Sequence, residues 1–154
     1  MNKFMQIAIA EAELGLRRKD GGPFGAVIIR RGKIVARAHN QVLKNSDPTC
    51  HAEMQAIRAA AKKLKRFDLS DCEIYSSCEP CPMCLGAIHW AKMRKLYFGA
   101  TRSDAAKIGF DDKFIYDVIL GAAKKKQVKI TKIARKECLA PFQKWLNLKS
   151  KTQY

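Results

Sequence analysis

From the N-terminus onward, the hydrophobic and polar positions of this chain first follow the spacing of a helix and then that of two strands. In residues 2–19, apolar side chains recur at near-helical intervals, and a Gly-Gly-Pro sequence at 21–23 ends the predicted helix. Residues 24–31 and 33–39 predict two strands, which a short Arg-Gly hairpin joins.

After the hairpin, helical and strand patterns alternate along the chain. They predict helices at 51–66, 82–93, 111–120 and 138–149, strands at 72–77 and 95–100, and a candidate strand at 128–133. A hairpin followed by alternating helices and strands is typical of an α/β fold with a mixed sheet. No linker, repeat or low-complexity block divides the chain, so we expect one domain over residues 1–154.

Composition places the chain among globular proteins and gives no sign of a membrane span. Hydrophobic residues make up 47% of the sequence and charged residues 29%, which is enough apolar material for a core. No apolar run approaches the roughly 18–20 residues that a span needs. The N-terminal segment is too polar for a signal peptide. We therefore expect a cytoplasmic protein without membrane contact.

The chain is strongly basic, with 30 Lys and Arg against 14 Asp and Glu and a net charge of +16. Such a balance favours contact with nucleic acid or another anionic surface. The basic residues are dispersed, however, and no basic motif interleaved with aromatic residues for base stacking occurs. A solvated basic surface is the favoured interpretation, and nucleic acid binding stays open.

Six cysteines occur in the chain, and three of them are spaced as Cys78-x2-Cys81-x2-Cys84. Without a secretory signal, this spacing favours a metal or redox site over a set of disulfides. We interpret the other three cysteines as small buried residues or inert thiols.

Two short motifs carry the candidate chemistry: His-x-Glu at 51–53 and Pro-Cys-x-x-Cys at 80–84. Each lies where a loop enters a predicted helix. The two cysteines, three positions apart, place both sulfurs on one face of the first turn. The histidine and the glutamate, two positions apart, can share a site only at a helix start. Both motifs therefore predict helix N-termini that converge on one point, where the positive end of the dipole favours thiolates.

One imidazole and two thiolates, from His51, Cys81 and Cys84, make a zinc site with three protein ligands. An open fourth position that holds water is typical of catalytic rather than structural zinc. Glu53, two residues from a ligand, is placed to take a proton from that water and pass it on. The two motifs together match the signature of zinc-dependent base deaminases. The sequence thus predicts one zinc ion per chain, with Glu53 as its catalytic acid and base.

Three other interpretations of these motifs stay open from the sequence alone. A structural zinc site would need Cys78 or Cys50 as a fourth ligand and would leave Glu53 without a role. A bacterial-type iron–sulfur cluster would need a cysteine where this chain has Ile88. A thioredoxin-like redox pair would leave the His-x-Glu motif unexplained. The remaining two histidines are interpreted as structural.

Longer segments around these motifs resemble the cytidine deaminase superfamily. Segments 22–26, 47–49 and 77–88 are similar to the branch that contains guanine deaminases and tRNA adenosine deaminases. Segments 105–116 and 141–154 resemble bacterial guanine deaminases, so the resemblance covers nearly the whole chain. It implies a three-layer α/β/α sandwich around a five-stranded mixed sheet, a homodimer, and zinc-dependent hydrolysis of guanine to xanthine and ammonia.

The resemblance also implies how a purine base would be held. Asn40 and the backbone of Ala52 would bind its polar edge, and Phe24 and Trp90 would pack on its ring. Asp112 would face the exocyclic amine, and the aspartate before it is nearly as good a candidate for that contact.

The C-terminal segment is a candidate for exchange between subunits. In the guanine deaminases that this chain resembles, the segment corresponding to about 138–154 crosses to the partner, and a final tyrosine, here Tyr154, closes the partner's active site. An amphipathic helix packed on its own domain, followed by a loose tail, is the alternative.

Two rival functions stay open beside guanine deamination. The first is a tRNA adenosine deaminase, in which the basic surface would bind the phosphate backbone. The second is a zinc-stabilised nucleic-acid-binding module without catalysis. Other amino-heterocycles, such as aminotriazines, cytosine and adenine, also stay open as substrates.

Overall fold

Helices and strands follow one another in nearly the order that the sequence predicts. The structure, a computed structural model, describes residues 2–123 and 128–153. Its elements are α1 (Lys3–Arg18), β1 (Gly25–Arg30), β2 (Lys33–His39), α2 (Val42–Asn45), α3 (Ala52–Leu64), β3 (Cys72–Cys78), α4 (Pro82–Trp90), β4 (Lys95–Ala100), α5 (Arg102–Lys107), α6 (Lys113–Ile119) and α7 (Arg135–Leu146). None of the described helices is long and apolar enough to cross a membrane. The expected cytoplasmic location stays a prediction.

The hairpin turns where the sequence predicts. Arg31 and Gly32 connect β1 to β2 with φ angles of 49° and 73°. Two consecutive residues with positive φ form the turn whose twist matches that of the flanking strands. Because glycine adopts positive φ without strain, Gly32 makes this tight connection accessible.

Two short helices, α2 and α5, are absent from the sequence-based prediction. Helix α5 begins with a capping box, in which the Thr101 hydroxyl accepts the Asp104 N–H and the Asp104 carboxylate accepts the Thr101 N–H. The Thr-x-x-Asp spacing is a local signal that could have located this helix. Helix α2 instead depends on a distant partner, because the N–H groups of Leu43 and Lys44 donate to the Asp20 carbonyl.

The described strands form a mixed sheet in the order β2-β1-β3-β4. Strand β1 is antiparallel to both β2 and β3, and β4 runs parallel to β3. The mixed sheet is as predicted. The parallel pair ends at Cys78 and Ala100, which places the loops into α4 and α5 at one edge of the sheet. Ligand sites of α/β proteins commonly lie at such an edge.

The expected fifth strand is wrong for the described chain. The sheet has four strands, and residues 128–133 belong to no helix or strand. The side chains of Val128, Ile130 and Ile133 are between 70% and 78% exposed. Alternation of apolar and polar residues is a local property, whereas a strand forms only when another strand offers it a free edge.

Alternate side chains of β1 divide the core between the two faces of the sheet. Val27 and Ile29 pack in a buried cluster with residues of α1. Ala26 and Ile28 pack on the opposite face with residues of α3 and α4. Because helices cover both faces of the sheet, the sequence of β1 is almost continuously apolar. The result is the three-layer α/β/α arrangement that the resemblance implies.

Candidate active site

Two helix N-termini meet at the site, as the motif spacing predicts. His51 is the N-cap of α3 and Cys81 is the N-cap of α4, both with an extended backbone. Neither side chain caps its own helix, so each remains available to a ligand. Pro82 occupies the first turn of α4, where its missing N–H removes no helical hydrogen bond.

The three predicted ligand side chains surround a volume that fits a zinc ion. His51 Nδ1 lies 3.6 Å from Cys81 Sγ and 3.6 Å from Cys84 Sγ. Zinc–nitrogen bonds of about 2.0 Å and zinc–sulfur bonds of about 2.3 Å, meeting at a tetrahedral angle, separate nitrogen from sulfur by about 3.5 Å, close to the distances found here. The donor set and its spacing therefore suit zinc.

Within the described residues, no fourth protein ligand completes this group. The Cys78 thiol donates a hydrogen bond to the Thr101 carbonyl oxygen at 3.6 Å, and burial raises its pKa to about 11. The Cys50 thiol donates to Asp47 Oδ2 at 3.2 Å. Both candidates for a structural fourth ligand thus have other partners. One coordination position is left to water or substrate, as in catalytic zinc sites.

Glu53 lies buried beside the ligand group. The Ser76 hydroxyl donates a hydrogen bond to Glu53 Oε1 at 3.1 Å. Burial raises the pKa of Glu53 above the ordinary value of a glutamate, because the charged form loses hydration. A carboxyl group with a raised pKa changes protonation closer to neutral pH than an exposed one, which suits general acid–base catalysis.

A cavity of about 740 Å³ opens over His51, Cys81 and Glu53. This volume falls within the range of about 300–1,000 Å³ that is usual for small-molecule sites. Its other walls include Phe24, Asn40, Phe110, Asp111 and Asp112. The structure therefore brings most of the sequence-predicted site residues to one cavity.

Asn40 is held in one orientation by two backbone groups. Its Oδ1 accepts the N–H of Gly22 at 3.3 Å and the N–H of Val42 at 3.1 Å. Both bonds go to the oxygen, so among the residues that the structure describes the Nδ2 group remains a free donor of this side chain. Asn40 thus offers a hydrogen-bond donor to a ligand in the cavity.

Two neighbouring aspartates line the cavity and differ in their hydrogen bonds. The Asp111 carboxylate accepts the Lys113 N–H at 2.9 Å, whereas the Asp112 side chain makes no capping hydrogen bond to α6. Burial, followed by the nearby Cys81 sulfur, raises the pKa of Asp112. The Asp112 carboxyl is therefore the more available of the two.

Phe24 and Phe110 form an aromatic wall of the cavity. Their rings meet edge to face, with centroids 5.0 Å apart. A Cβ at Gly22 would lie 2.9 Å from the Phe24 ring and 3.0 Å from the Phe110 ring, so both rings pack closely on the backbone there. An aromatic surface of this kind suits a flat heterocycle.

Three further predicted residues are placed differently. Ala52 is buried at the first position of α3, where its N–H has no partner within the helix. Trp90, at the end of α4, is 69% exposed and does not line the cavity. The described chain alone does not bring Trp90 to the site. Tyr154 lies outside the described residues.

Sequence reasoning missed three residues that support the site. Ser76 donates to Glu53. The Tyr116 hydroxyl donates to the Pro80 carbonyl oxygen at 3.3 Å, and the Arg102 guanidinium lies 4.5 Å from the centre of the Tyr116 ring. These contacts link α6 to the cysteine motif. The hydrogen-bond partners lie 23 and 36 residues apart in the chain, so no local pattern could have found them.

A family comparison agrees with this geometry. Residues 1–100 match the family model of the cytidine and deoxycytidylate deaminase zinc-binding region. The chain belongs to this family of deaminases, and zinc is the metal of its His51, Cys81 and Cys84 group.

Individual relatives extend the match beyond the shared region. A guanine deaminase from Bacillus subtilis is 46% identical over 151 residues, which cover 98% of this chain and 97% of the relative. An X-ray structure of a guanine deaminase from Bacillus subtilis has a TM-score of 0.93 and covers 100% of this chain and 99% of its own. A guanine deaminase structure from Nitrosomonas europaea is 34% identical, with a TM-score of 0.67, over 71% of this chain and 63% of its own. A tRNA-specific adenosine deaminase from Aquifex aeolicus is 39% identical over 63% of this chain and 64% of the relative.

Proposed function

We propose that this chain is a guanine deaminase, which uses one zinc ion per chain to hydrolyse guanine to xanthine and ammonia in purine breakdown and salvage. The observation that carries the proposal is one cavity lined by zinc ligands, the buried Glu53 and the polar side chains of Asn40 and Asp112. Its wall between residues 102 and 112 lies beyond residues 1–100, the region that the family shares. The Bacillus guanine deaminase matches 98% of this chain, whereas the tRNA-specific adenosine deaminase from Aquifex aeolicus matches 63% of it.

The polar groups of the cavity complement a guanine base. Guanine carries acceptors at O6, N7 and N3, and a donor amine on C2. The Asn40 Nδ2 group and the Ala52 N–H donate to acceptors of the base, and the Asp112 carboxylate accepts from the amine. Phe24 packs on the ring with Phe110 behind it. A site built to bond a polar edge rejects analogues that lack it by roughly 10⁴-fold or more.

Glu53 moves the protons of the reaction. Zinc, when bound, lowers the pKa of a water molecule toward about 7, so that a nucleophile exists at neutral pH. Glu53 takes one proton from the water and donates it to N3 of guanine as the water oxygen bonds to C2. The carboxylate then takes a proton from the added oxygen and delivers it to the amine nitrogen, and the C2–N bond breaks to release ammonia. Ser76 holds Oε1 throughout, which keeps the carboxyl group aimed at the base.

We also propose a homodimer in which the segment from about 138 to 154 crosses to the partner. None of the twelve residues of α7, all of them described, is buried in the single chain. Phe142 is 64% exposed, and Trp145 and Leu146 are also exposed. Large apolar side chains on one segment favour burial against another surface. In a symmetric dimer, each chain would bury these side chains of the other chain.

The tRNA adenosine deaminase is the second candidate, because the net charge of +16 exceeds what a small neutral base requires. Salt separates the two functions. A protein that contacts 6–10 phosphates loses about 10³–10⁵ in affinity between about 50 and 200 mM salt. Turnover of guanine, which carries no phosphate, should change little over that range.

The test is ammonia release by the zinc-loaded protein from guanine, cytosine, adenine, an aminotriazine and a tRNA anticodon stem-loop. We expect guanine to react fastest. Glu53→Gln should keep zinc and abolish turnover, whereas a binding module without catalysis would be indifferent to this change. Release from the stem-loop without release from guanine would overturn the proposal in favour of the tRNA enzyme.

A further inference from the structure

His39, at the end of β2, lies buried between two carboxylates. The residue is 4% exposed, with Nδ1 3.1 Å from Glu11 Oε2 and Nε2 2.8 Å from Asp20 Oδ2. Both ring nitrogens of His39 therefore lie within hydrogen-bond distance of a carboxylate oxygen. Each carboxylate also has a cationic partner nearer the surface, since Arg37 Nε lies 3.2 Å from Glu11 and Lys44 Nζ lies 3.7 Å from Asp20. The hydrogen bond from His39 lowers the pKa of Asp20, which keeps that carboxyl ionised.

The His39 ring is fitted closely against α1. A Cβ on Gly15 would lie 2.9 Å from His39 Cδ2 and 3.1 Å from its Cβ and Cγ. Real Cβ contacts are rarely this short, so the ring touches the bare helix backbone. His39 thus joins α1, the end of β2 and the loop after α1 at one buried point.

Asp20 extends this connection to the loop after β2. Its carbonyl oxygen accepts the N–H groups of Leu43 and Lys44, both at 3.0 Å. The side chain of Asp20 is therefore held by His39 while its backbone holds the start of α2. A shift of Asp20 would therefore move two segments: the loop that follows it in the chain and the start of α2.

Those two segments supply both donors that orient Asn40. Gly22 lies two residues after Asp20, and Val42 immediately precedes the residues that Asp20 holds. Their N–H groups donate to Asn40 Oδ1. The fit is close, because a Cβ on Gly21 would lie 2.0 Å from that same oxygen. The Asn40 donor therefore faces the cavity only while both segments keep their places.

We propose that His39, through Glu11 and Asp20, is a positioning residue that sets the Asn40 carboxamide for recognition of the substrate base. His39 does not line the cavity and acts through the loops on either side of Asn40. The assignment rests on the proposed function insofar as Asn40 binds guanine. It assigns His39 a role in affinity for the base rather than in the proton transfers.

The first experiment compares His39→Gln with the wild type as full-length, zinc-loaded protein. We expect unchanged zinc content, a KM for guanine about tenfold higher, and kcat within about threefold, because binding rather than chemistry is weakened. Arg66→Gln is the matched control, since Arg66 pairs with Asp71 and does not line the cavity. It should leave KM unchanged. A His39→Gln effect confined to kcat, or equal to that of the control, would overturn the proposal.

A double-mutant cycle tests whether His39 acts through Asn40. In an Asn40→Ala background, His39→Gln should change kcat/KM by less than about twofold, because the group that it positions is gone. An undiminished effect in that background would mean that His39 acts by another route, and the proposal would fail.

Amide hydrogen exchange gives a readout that does not depend on any substrate. In His39→Gln, the N–H groups of Gly22 and Val42 should exchange at least about tenfold faster relative to the sheet amides, because their acceptor on Asn40 is displaced. Unchanged protection at both amides would overturn the proposal even if guanine proved not to be the substrate. Absence of guanine turnover in the wild type, with faster exchange in the variant, would refute the proposed function alone.

If His39→Gln does not fold, Gly15→Ala is a second variant, which perturbs the same ring. The new methyl group must push the His39 ring by a few tenths of an ångström, while alanine favours the helix. The same rise in KM and the same faster exchange at Gly22 and Val42 are expected, to a smaller degree. Wild-type values for both would contradict the proposal.

Discussion

Cys81 is held as a thiolate by its immediate neighbours. Hydrogen bonds from the Cys84 thiol, then from the His51 ring, lower the pKa of the Cys81 thiol well below its ordinary value. The site is thus arranged for a cation by local hydrogen bonding and by its place at a helix N-terminus. Zinc replaces those protons when it binds, and its binding energy depends on all three ligand atoms.

We therefore expect Cys81→Ala and Cys84→Ala each to lose most bound zinc and all deaminase activity. Metal analysis of the purified variants, together with ammonia release, measures both quantities. Cys138→Ala is the matched control, because Cys138 is an exposed thiol away from the ligand group. It should keep about one zinc per chain. Stoichiometric zinc in both ligand variants would contradict the assignment of the site.

Asp112 and Asp111 differ by one position and by one hydrogen bond. Asp112→Ala should abolish guanine turnover while zinc content stays normal, because it removes the carboxyl group available to the amine. Asp111→Ala should lower activity only a few-fold, since Asp111 serves the Lys113 N–H at the start of α6. Steady-state kinetics and metal analysis on both variants decide between them. The reverse order of effects would move the substrate contact to Asp111.

Asp71 joins three elements at the edge of the sheet. It pairs with Arg30 at the end of β1, at 2.7 Å, and with Arg66 in the loop after α3, while it directly precedes β3. Hydrogen bonding from Arg30, followed by that from Arg66, lowers the pKa of Asp71 to about 2. An aspartate with a lowered pKa stabilises the fold above its unfolded-state value of about 4, and that contribution disappears as the pH falls toward 2.

We expect Asp71→Asn to lower the free energy of unfolding at pH 7 by about 1 kcal/mol or less, because the pair is partly exposed to solvent. The difference between variant and wild type should shrink steadily from pH 4 to pH 2. Urea unfolding across this range measures it, and loss of zinc at low pH affects both proteins alike. A difference that stays constant with pH would show that the ionised carboxylate contributes nothing.

At the scale of the whole molecule, the exposed C-terminal segment gives the proposed dimer a direct test. Deleting residues 149–154 should leave a folded, zinc-loaded protein with at least about tenfold lower guanine turnover, because closure of the site excludes water. Mixing the truncated chain with the Glu53→Gln chain should restore part of the activity. In a mixed dimer, the intact Glu53 of one chain meets the intact tail of the other.

The control for this mixture places both changes in one chain. A truncated chain that also carries Glu53→Gln, mixed with full-length Glu53→Gln, has no intact Glu53 and should stay inactive. Full activity of the simple truncation would show that the tail takes no part in any active site.

The zinc ligands, Glu53 and the α/β layering could all be predicted because each depends on short stretches of chain. Cysteines three positions apart at a helix start share one face whatever surrounds them. The apolar run of β1 indicates burial on both sides wherever the strand lies. The capping box of α5 was equally local, so Thr101 and Asp104 could have been used as well.

Other features were decided only by the tertiary structure. Ser76 meets Glu53, and Gly22 and Val42 meet Asn40, through hydrogen bonds whose partners are brought together by the sheet and its loops. The segment at 128–133 has the alternation of a strand and forms none in the described chain, because pairing requires a free edge in the right place. Local sequence determines which face of a helix or strand a side chain occupies. Its hydrogen-bond or strand partner is determined by how distant parts of the chain fold together.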